Sequence, residues 1–201
     1  MRALTILLLL CTAPAHAQLF KLEGETLIYD TENSDGPGID HPHVDTLRTL
    51  LRANEGVTTL QLNSGGGKVW PAREMAKIII DFELNTHVHG ICESSCVRLM
   101  LAGAKRTMSR GSQIGFHQFY WEAADVEAYY EDKRDGRGWD TPFEFGGWIY
   151  QDTQSEMYEH LSYMIERGVD AAFAVQTIAP RDGGMWNPYR PVLMAAGVLT
   201  D

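Results

Sequence analysis

Apolar positions recur along the chain with two alternating periods, which predict strands and helices following one another through short connections. Leu27 to Tyr29 is a short apolar strand. After the loop Asn33-Ser34-Asp35-Gly36-Pro37-Gly38, the residues Val44, Leu47, Leu50 and Leu51 stand at helical spacing, and Val57 to Leu62 alternates as a strand does. Three glycines follow. Met75, Ala76, Ile79 and Ile80 share one helical face, Thr86 to Gly90 reads as a strand, Ser94 to Ala104 as a buried helix, and Ile114 to His117 as a further strand. Met157, Leu161, Met164 and Ile165 mark the buried side of a long amphipathic helix, Phe173, Val175 and Ile178 that of a shorter one, and a short α/β finish ends the chain. The stretch from Trp121 to Gly147 breaks this regularity: eight acids, three bases, aromatics, glycines and one proline read as an insertion, either solvated or serving as a lid or assembly surface.

The first seventeen residues have the make-up of an export signal, with Arg2, an apolar run from Leu4 to Cys11, and Ala15-His16-Ala17 as the cleavage pattern. The run is too short to span a bilayer, so the expected mature protein is exported to the periplasm or outside the cell without a membrane anchor. It keeps 184 of the 201 residues, enough for one domain with a sizeable core. Losing Arg2 moves the formal net charge from −10 to −11, which argues against nucleic acid or an anionic membrane surface as partner. Cys92 and Cys96 then remain, and an oxidising compartment makes them candidates for a disulfide. Two small buried thiols are the alternative, since four-residue spacing is not automatically bridge geometry.

Three segments carry possible chemistry. Leu62-Asn63-Ser64-Gly65-Gly66-Gly67 lies between a strand and a helix, where glycines let the backbone approach a ligand and aim N–H groups at it; a plain tight turn fits as well. No P-loop or dinucleotide fingerprint is completed, because Lys68 is followed by Val69. Ile91-Cys92-Glu93-Ser94-Ser95-Cys96 joins a strand to an apolar helix, so a serine there is either a helix cap or a nucleophile beside an unpaired N–H. Gly115-Phe116-His117-Gln118 closes a strand with a histidine. The His41/His43 and His87/His89 pairs raise a metal site as an alternative, but neither has a clear third ligand at familiar spacing, although Asp40 and Asp45 flank the first.

Taken in order, the three segments resemble the proteolytic subunit of the Clp protease. That family has Asn-Ser-Pro-Gly-Gly, then a Gly-x-x-x-Ser elbow leading into a helix that ends Ala-Gly-Ala, then Ile-His-Gln. The counterparts here are Asn63 to Gly67, Gly90 to Ser94 with Ala102-Gly103-Ala104, and Phe116-His117-Gln118. The likeness covers roughly Leu27 to Phe119 well and the last twenty residues loosely, and suits best the exported relatives with a Cys-x-Ser-x-Cys elbow. It implies an α/β Clp-protease/crotonase-like fold of repeated β-β-α units in a single domain over residues 18–201, and a tendency to form homo-oligomers.

Counting back from Ala102-Gly103-Ala104, the resemblance selects Ser94 rather than Ser95 as nucleophile. It makes His117 the general base, and Gly67 and Ser95 the oxyanion donors through their backbone N–H groups. It also suggests Asp182, in Arg181-Asp182 ahead of Gly197-Val198-Leu199-Thr200-Asp201, as the third member, although Met185-Trp186-Asn187-Pro188 departs from the pattern. Glu93 stands beside the nucleophile, where it either raises the basicity of His117 or faces solvent. The implied substrate is a peptide or small acyl compound, with no cofactor and no metal. An acyl-CoA enzyme of the crotonase type, a serine–lysine dyad using Lys133, an α/β-hydrolase using His160, and a catalytically silent protein that binds a peptide or partner in the same groove are the competing readings.

Overall fold

The alternation in Leu27-Ile28-Tyr29 and in Leu60-Gln61-Leu62 places every second side chain in full burial, the pattern of strands packed on a core. A computed structural model of the chain describes residues 18–36, 38–179 and 184–201. Strand β1 (Phe20–Glu23) pairs antiparallel with β2 (Thr26–Asp30), and β2 pairs parallel with β3 (Thr59–Ser64). β3 in turn pairs parallel with β4 (Asn85–Glu93). The far edge of β4 is shared by two short parallel strands, β5 (Arg106–Met108) on residues 86–88 and β6 (Gln113–Gly115) on residues 91–93. Parallel neighbours need crossovers, and α1 (His41–Ala53), α2 (Val69–Asp81) and α3 (Cys96–Ala102) supply them. The architecture is a mixed α/β domain with helices flanking a mostly parallel sheet.

Core side chains come from both layers: Leu60, Leu62 and Val88 from the sheet, Met75 and Ile79 from α2, and Leu99 and Met100 from α3 are all fully buried. Each such residue contributes roughly 1.5–3 kcal/mol relative to exposure. Among the described residues no helix is long and apolar enough to cross a membrane.

Several element boundaries differ from the periodicity. The helix expected from Ser94 begins at Cys96, because Ser94 has φ 55 and ends the strand in a left-handed corner. The strand expected to stop at Gly90 runs on to Glu93. The pairing of β3 with β4 shifts register between Leu62 and Ser64, and Gly90, at φ 108, makes room there for the Asn63 side chain. β1 and β5 escape a pattern reading, the first because it is mostly exposed, the second because the buried Arg106 hides it. Arg106 is held by the carbonyls of Gly197 and Val198.

The charged, aromatic stretch read as an insertion is largely helical. It forms α4 (Ala123–Arg137) and the first six residues of α5 (Pro142–Glu166), which starts behind a Thr141–Glu144 capping box. Tyr129, Trp139, Phe145 and Trp148 stack against one another between the two helices. The far end of α5 reaches the core through Met164, and its following residue, Arg167, caps α3 by donating to the carbonyls of Leu101 and Ala102. Helices α6 (Ala171–Thr177) and α7 (Arg190–Ala195) complete the chain.

Candidate active site

β4 delivers Ser94 to the corner where the sheet meets α3, and β6 delivers the segment that carries His117. The Ser94 N–H donates to the Gly115 carbonyl (3.0 Å), which ties the corner to β6. The Ser94 hydroxyl lies 2.7 Å from His117 Nε2. His117 Nδ1 lies 2.7 Å from the Gln118 carbonyl. A carbonyl can only accept, so Nδ1 is the donor of that contact, and in the neutral ring Nε2 then turns its lone pair to the serine hydroxyl. The helix-cap alternative does not describe Ser94, since its hydroxyl is spent on His117. Nor does the Ser95 side chain cap α3: it donates instead to the Gly67 carbonyl (3.0 Å).

The glycine run lies directly against this corner. A methyl group on Gly66 would come within 2.8 Å of Ser94 Cβ and 3.1 Å of the Ser95 nitrogen, and one on Gly67 would strike the backbone of Ile39. The Gly66 carbonyl accepts from the Ile39 N–H (2.7 Å), and the trans peptide therefore turns the Gly67 N–H away from Ile39. The N–H groups of Gly67 and Ser95 have no acceptor among the described residues.

Cys92 and Cys96 are joined by a disulfide and fully buried, one on each side of the corner. Glu93 does not reach His117: its carboxylate accepts from the Asn187 side chain (3.1 Å), 94 residues further on. The segment that contains Asn187 docks through a short antiparallel bridge, in which Phe116 and Trp186 exchange both backbone hydrogen bonds. Asp182, the expected third member, lies outside the described residues. In the geometry seen, the Gln118 carbonyl is the acceptor for His117 Nδ1. Sequence reasoning missed it, because a main-chain oxygen carries no residue signature.

A cleft of about 850 Å³ opens beside the pair, lined by Gly67, Ser94, Ser95 and His117 and reaching His160 and Tyr163 on α5. Burial, reinforced by the nearby Arg98 guanidinium, holds His160 down to about 4, so this imidazole stays neutral. Its Nε2 approaches the Thr177 hydroxyl rather than either serine. Arg98 lies over the Tyr163 ring and, with Arg73, engages Glu159. Lys133 sits on α4 against Asp132 and does not line the cleft. Among the described residues no group of three His, Cys, Asp or Glu side chains could hold a metal ion. His43 bonds the Tyr29 hydroxyl, and His87 bonds Thr107 and Ser109.

The fold is an α/β domain similar to that of the Clp-protease proteolytic subunit, and it holds a serine and a histidine side by side at the strand-to-helix corner. Among solved structures, a mutant of ClpP1 from Listeria monocytogenes is similar with a TM-score of 0.52 at 14% identity, over 81% of this chain and 84% of that one. No protein-family model and no curated protein sequence matches the chain. The likeness therefore establishes the fold, and any chemistry has to be argued from the site's own geometry.

Proposed function

We propose that the chain is an exported serine hydrolase that cleaves peptides or small acyl compounds through a covalent intermediate on Ser94. The carrying observation is the 2.7 Å contact between the Ser94 hydroxyl and His117 Nε2. A neutral serine is a poor nucleophile, so the chemistry needs a base in hydrogen-bond reach, and the short distance to His117 Nε2 supports that role.

As Ser94 Oγ bonds to the substrate carbonyl carbon, its proton passes to His117 Nε2. The carbonyl π electrons move to oxygen, where the Gly67 and Ser95 N–H groups receive the negative charge. When the carbon–leaving-group bond breaks, Nε2 returns the proton to the departing amine or alkoxide, leaving an ester on Ser94. Water then repeats the sequence, giving its proton to Nε2 and freeing the acid and the serine. His117 is oriented through Nδ1–H, for which the Gln118 carbonyl is the acceptor within reach. The buried Cys92–Cys96 bond is consistent with export to an oxidising compartment. Homo-oligomerisation belongs to the proposal as an expectation for size measurements in solution.

Labelling with a fluorophosphonate probe tests the reading. Label is expected on the intact protein, absent from Ser94→Ala and His117→Ala, and present on Ser95→Ala, whose backbone donor remains. An intact protein that takes no label would favour a silent member of this fold that binds a peptide or partner protein in the same cleft.

A further inference from the structure

β2 and β3 run parallel with Asp30 opposite Asn63. Beyond the strand ends the register continues through side chains, each pair separated by 33 residues. The Asn63 amide donates to Asp30 Oδ1 (3.1 Å), the Thr31 hydroxyl donates to Ser64 Oγ (2.8 Å), and the Gly65 N–H donates to Glu32 Oε1 (2.7 Å). Ser64 Oγ, so held, accepts from the Gly66 N–H (3.1 Å). The Thr31 N–H closes the ladder on the Asn63 carbonyl (2.9 Å).

Three consecutive glycines present three N–H donors, and three glycines are also the stretch of backbone with the most freedom to turn them elsewhere. In this structure the first donor is taken by Glu32 and the second by Ser64 under Thr31. The third, on Gly67, has no acceptor among the described residues. Fixing the first two peptide planes while the Gly66 carbonyl is held by Ile39 leaves the Gly67 N–H with one direction, away from Ile39. An oxyanion donor works by being aimed before the charge appears, so whatever fixes that plane acts on the transition state more than on substrate binding.

We infer that Glu32 and Thr31 are positioning residues that aim the Gly67 N–H at the developing oxyanion; the inference rests on the hydrolase reading above. Neither lines the cleft: Glu32 is exposed, and Thr31 is buried. Because Glu32 is exposed, truncating it leaves no cavity, and the effect should appear as lost rate without lost stability.

The test compares Glu32→Ala with Glu32→Gln, which keeps the side-chain oxygen, and Thr31→Val with Thr31→Ser, which keeps the hydroxyl. Turnover of p-nitrophenyl acetate, melting temperature and exchange of the Gly65 and Gly66 amide protons by NMR are measured on each. Glu32→Ala is expected to lower kcat by about 30-fold with KM within about threefold, the size of a misaimed rather than a deleted oxyanion donor. Its Gly65 amide should exchange at least about tenfold faster, as a donor released to solvent does. Glu32→Gln should keep kcat within about threefold of the parent, since a neutral acceptor weakens but retains the bond. Thr31→Val should act on Gly66 in the same way, and Thr31→Ser should restore it.

A Gln variant no better than Ala, an effect confined to KM, an unchanged Gly65 exchange rate, or an intact kcat in Glu32→Ala would each overturn the inference alone. A parent protein without Ser94-dependent turnover overturns the hydrolase reading itself, and the inference with it.

Discussion

Glycines mean opposite things in two parts of this molecule. At the corner, Gly66, Gly67, Gly90 and Gly115 stand where an added methyl would run into backbone or into fixed side chains, and three of the four have positive φ. In the α4–α5 arm, Gly136, Gly138, Gly146 and Gly147 meet nothing within 4 Å. The corner is built from donors matched to acceptors and from backbone packed on backbone. The arm is held by rings stacked on rings, and its buried Tyr130 and Phe145 stand apart from the main core. A corner of the first kind has one arrangement and no slack. An arm of the second kind can lose or gain a side chain and remain an arm.

The largest effect should come from breaking the tight side. In Gly66→Ala the new methyl lies 2.8 Å from both the Glu93 carbonyl oxygen and Ser94 Cβ, at φ 103, where an L-residue is strained. The loop must withdraw from the corner and carry the Gly67 donor with it. Fluorophosphonate labelling should slow by about 100-fold or more, the usual loss when an oxyanion donor is removed. Strain should cost about 1–3 kcal/mol in denaturant unfolding. Labelling at the parent's rate would show the corner to be less constrained than its contacts imply.

Much of this corner was legible from sequence because its chemistry is local. The strand before Asn63, the glycines, the strand before Ser94 and the apolar helix after it are each short stretches with a strong period or an unmistakable residue type, and the α/β fold class followed from their alternation. Features that depend on distant pairing were not legible. Glu93 finds Asn187 94 residues away, Phe116 finds Trp186 across a two-residue bridge, and the Asp30-Thr31-Glu32 ladder exists only once β2 and β3 are in register. The helices of the arm escaped a pattern reading for a different cause. Its aromatics pack between two helices rather than onto the core, so they lack the single-faced stripe by which a core helix is recognised.

A middle effect should follow from loosening the corner without crowding it. Cys92→Ser with Cys96→Ser removes the bond that spans the elbow while leaving every hydrogen bond to Ser94 available. A loop this short costs about 2 kcal/mol of stability when opened. Because the bridge flanks the nucleophile on both sides, ester turnover should also fall by about tenfold, through imprecise aiming of the hydroxyl. Turnover equal to the parent's, with the stability loss present, would make the disulfide a brace for the domain and not for the site.

The smallest effect sharpens the comparison from the arm's side. Gly147→Ala sits in the second turn of α5, exposed and with open space around its Cα. No neighbour need move, and the helix gains a residue that loses less backbone freedom on folding, so the arm should be stabilised by about 0.5–1 kcal/mol. That gain should appear as slower amide exchange across α4 and the start of α5. Labelling of Ser94 should stay at the parent's rate, since the corner takes its geometry from β2, β3, β4 and β6 and not from these turns. The same Gly→Ala exchange would then slow the chemistry at one glycine and only stiffen a helix at the other. If Gly147→Ala instead changes the labelling rate, the arm is coupled to the cleft, through Glu122 and Asp125 at the start of α4 that line it, and the division between a fixed corner and a tolerant arm fails at that wall.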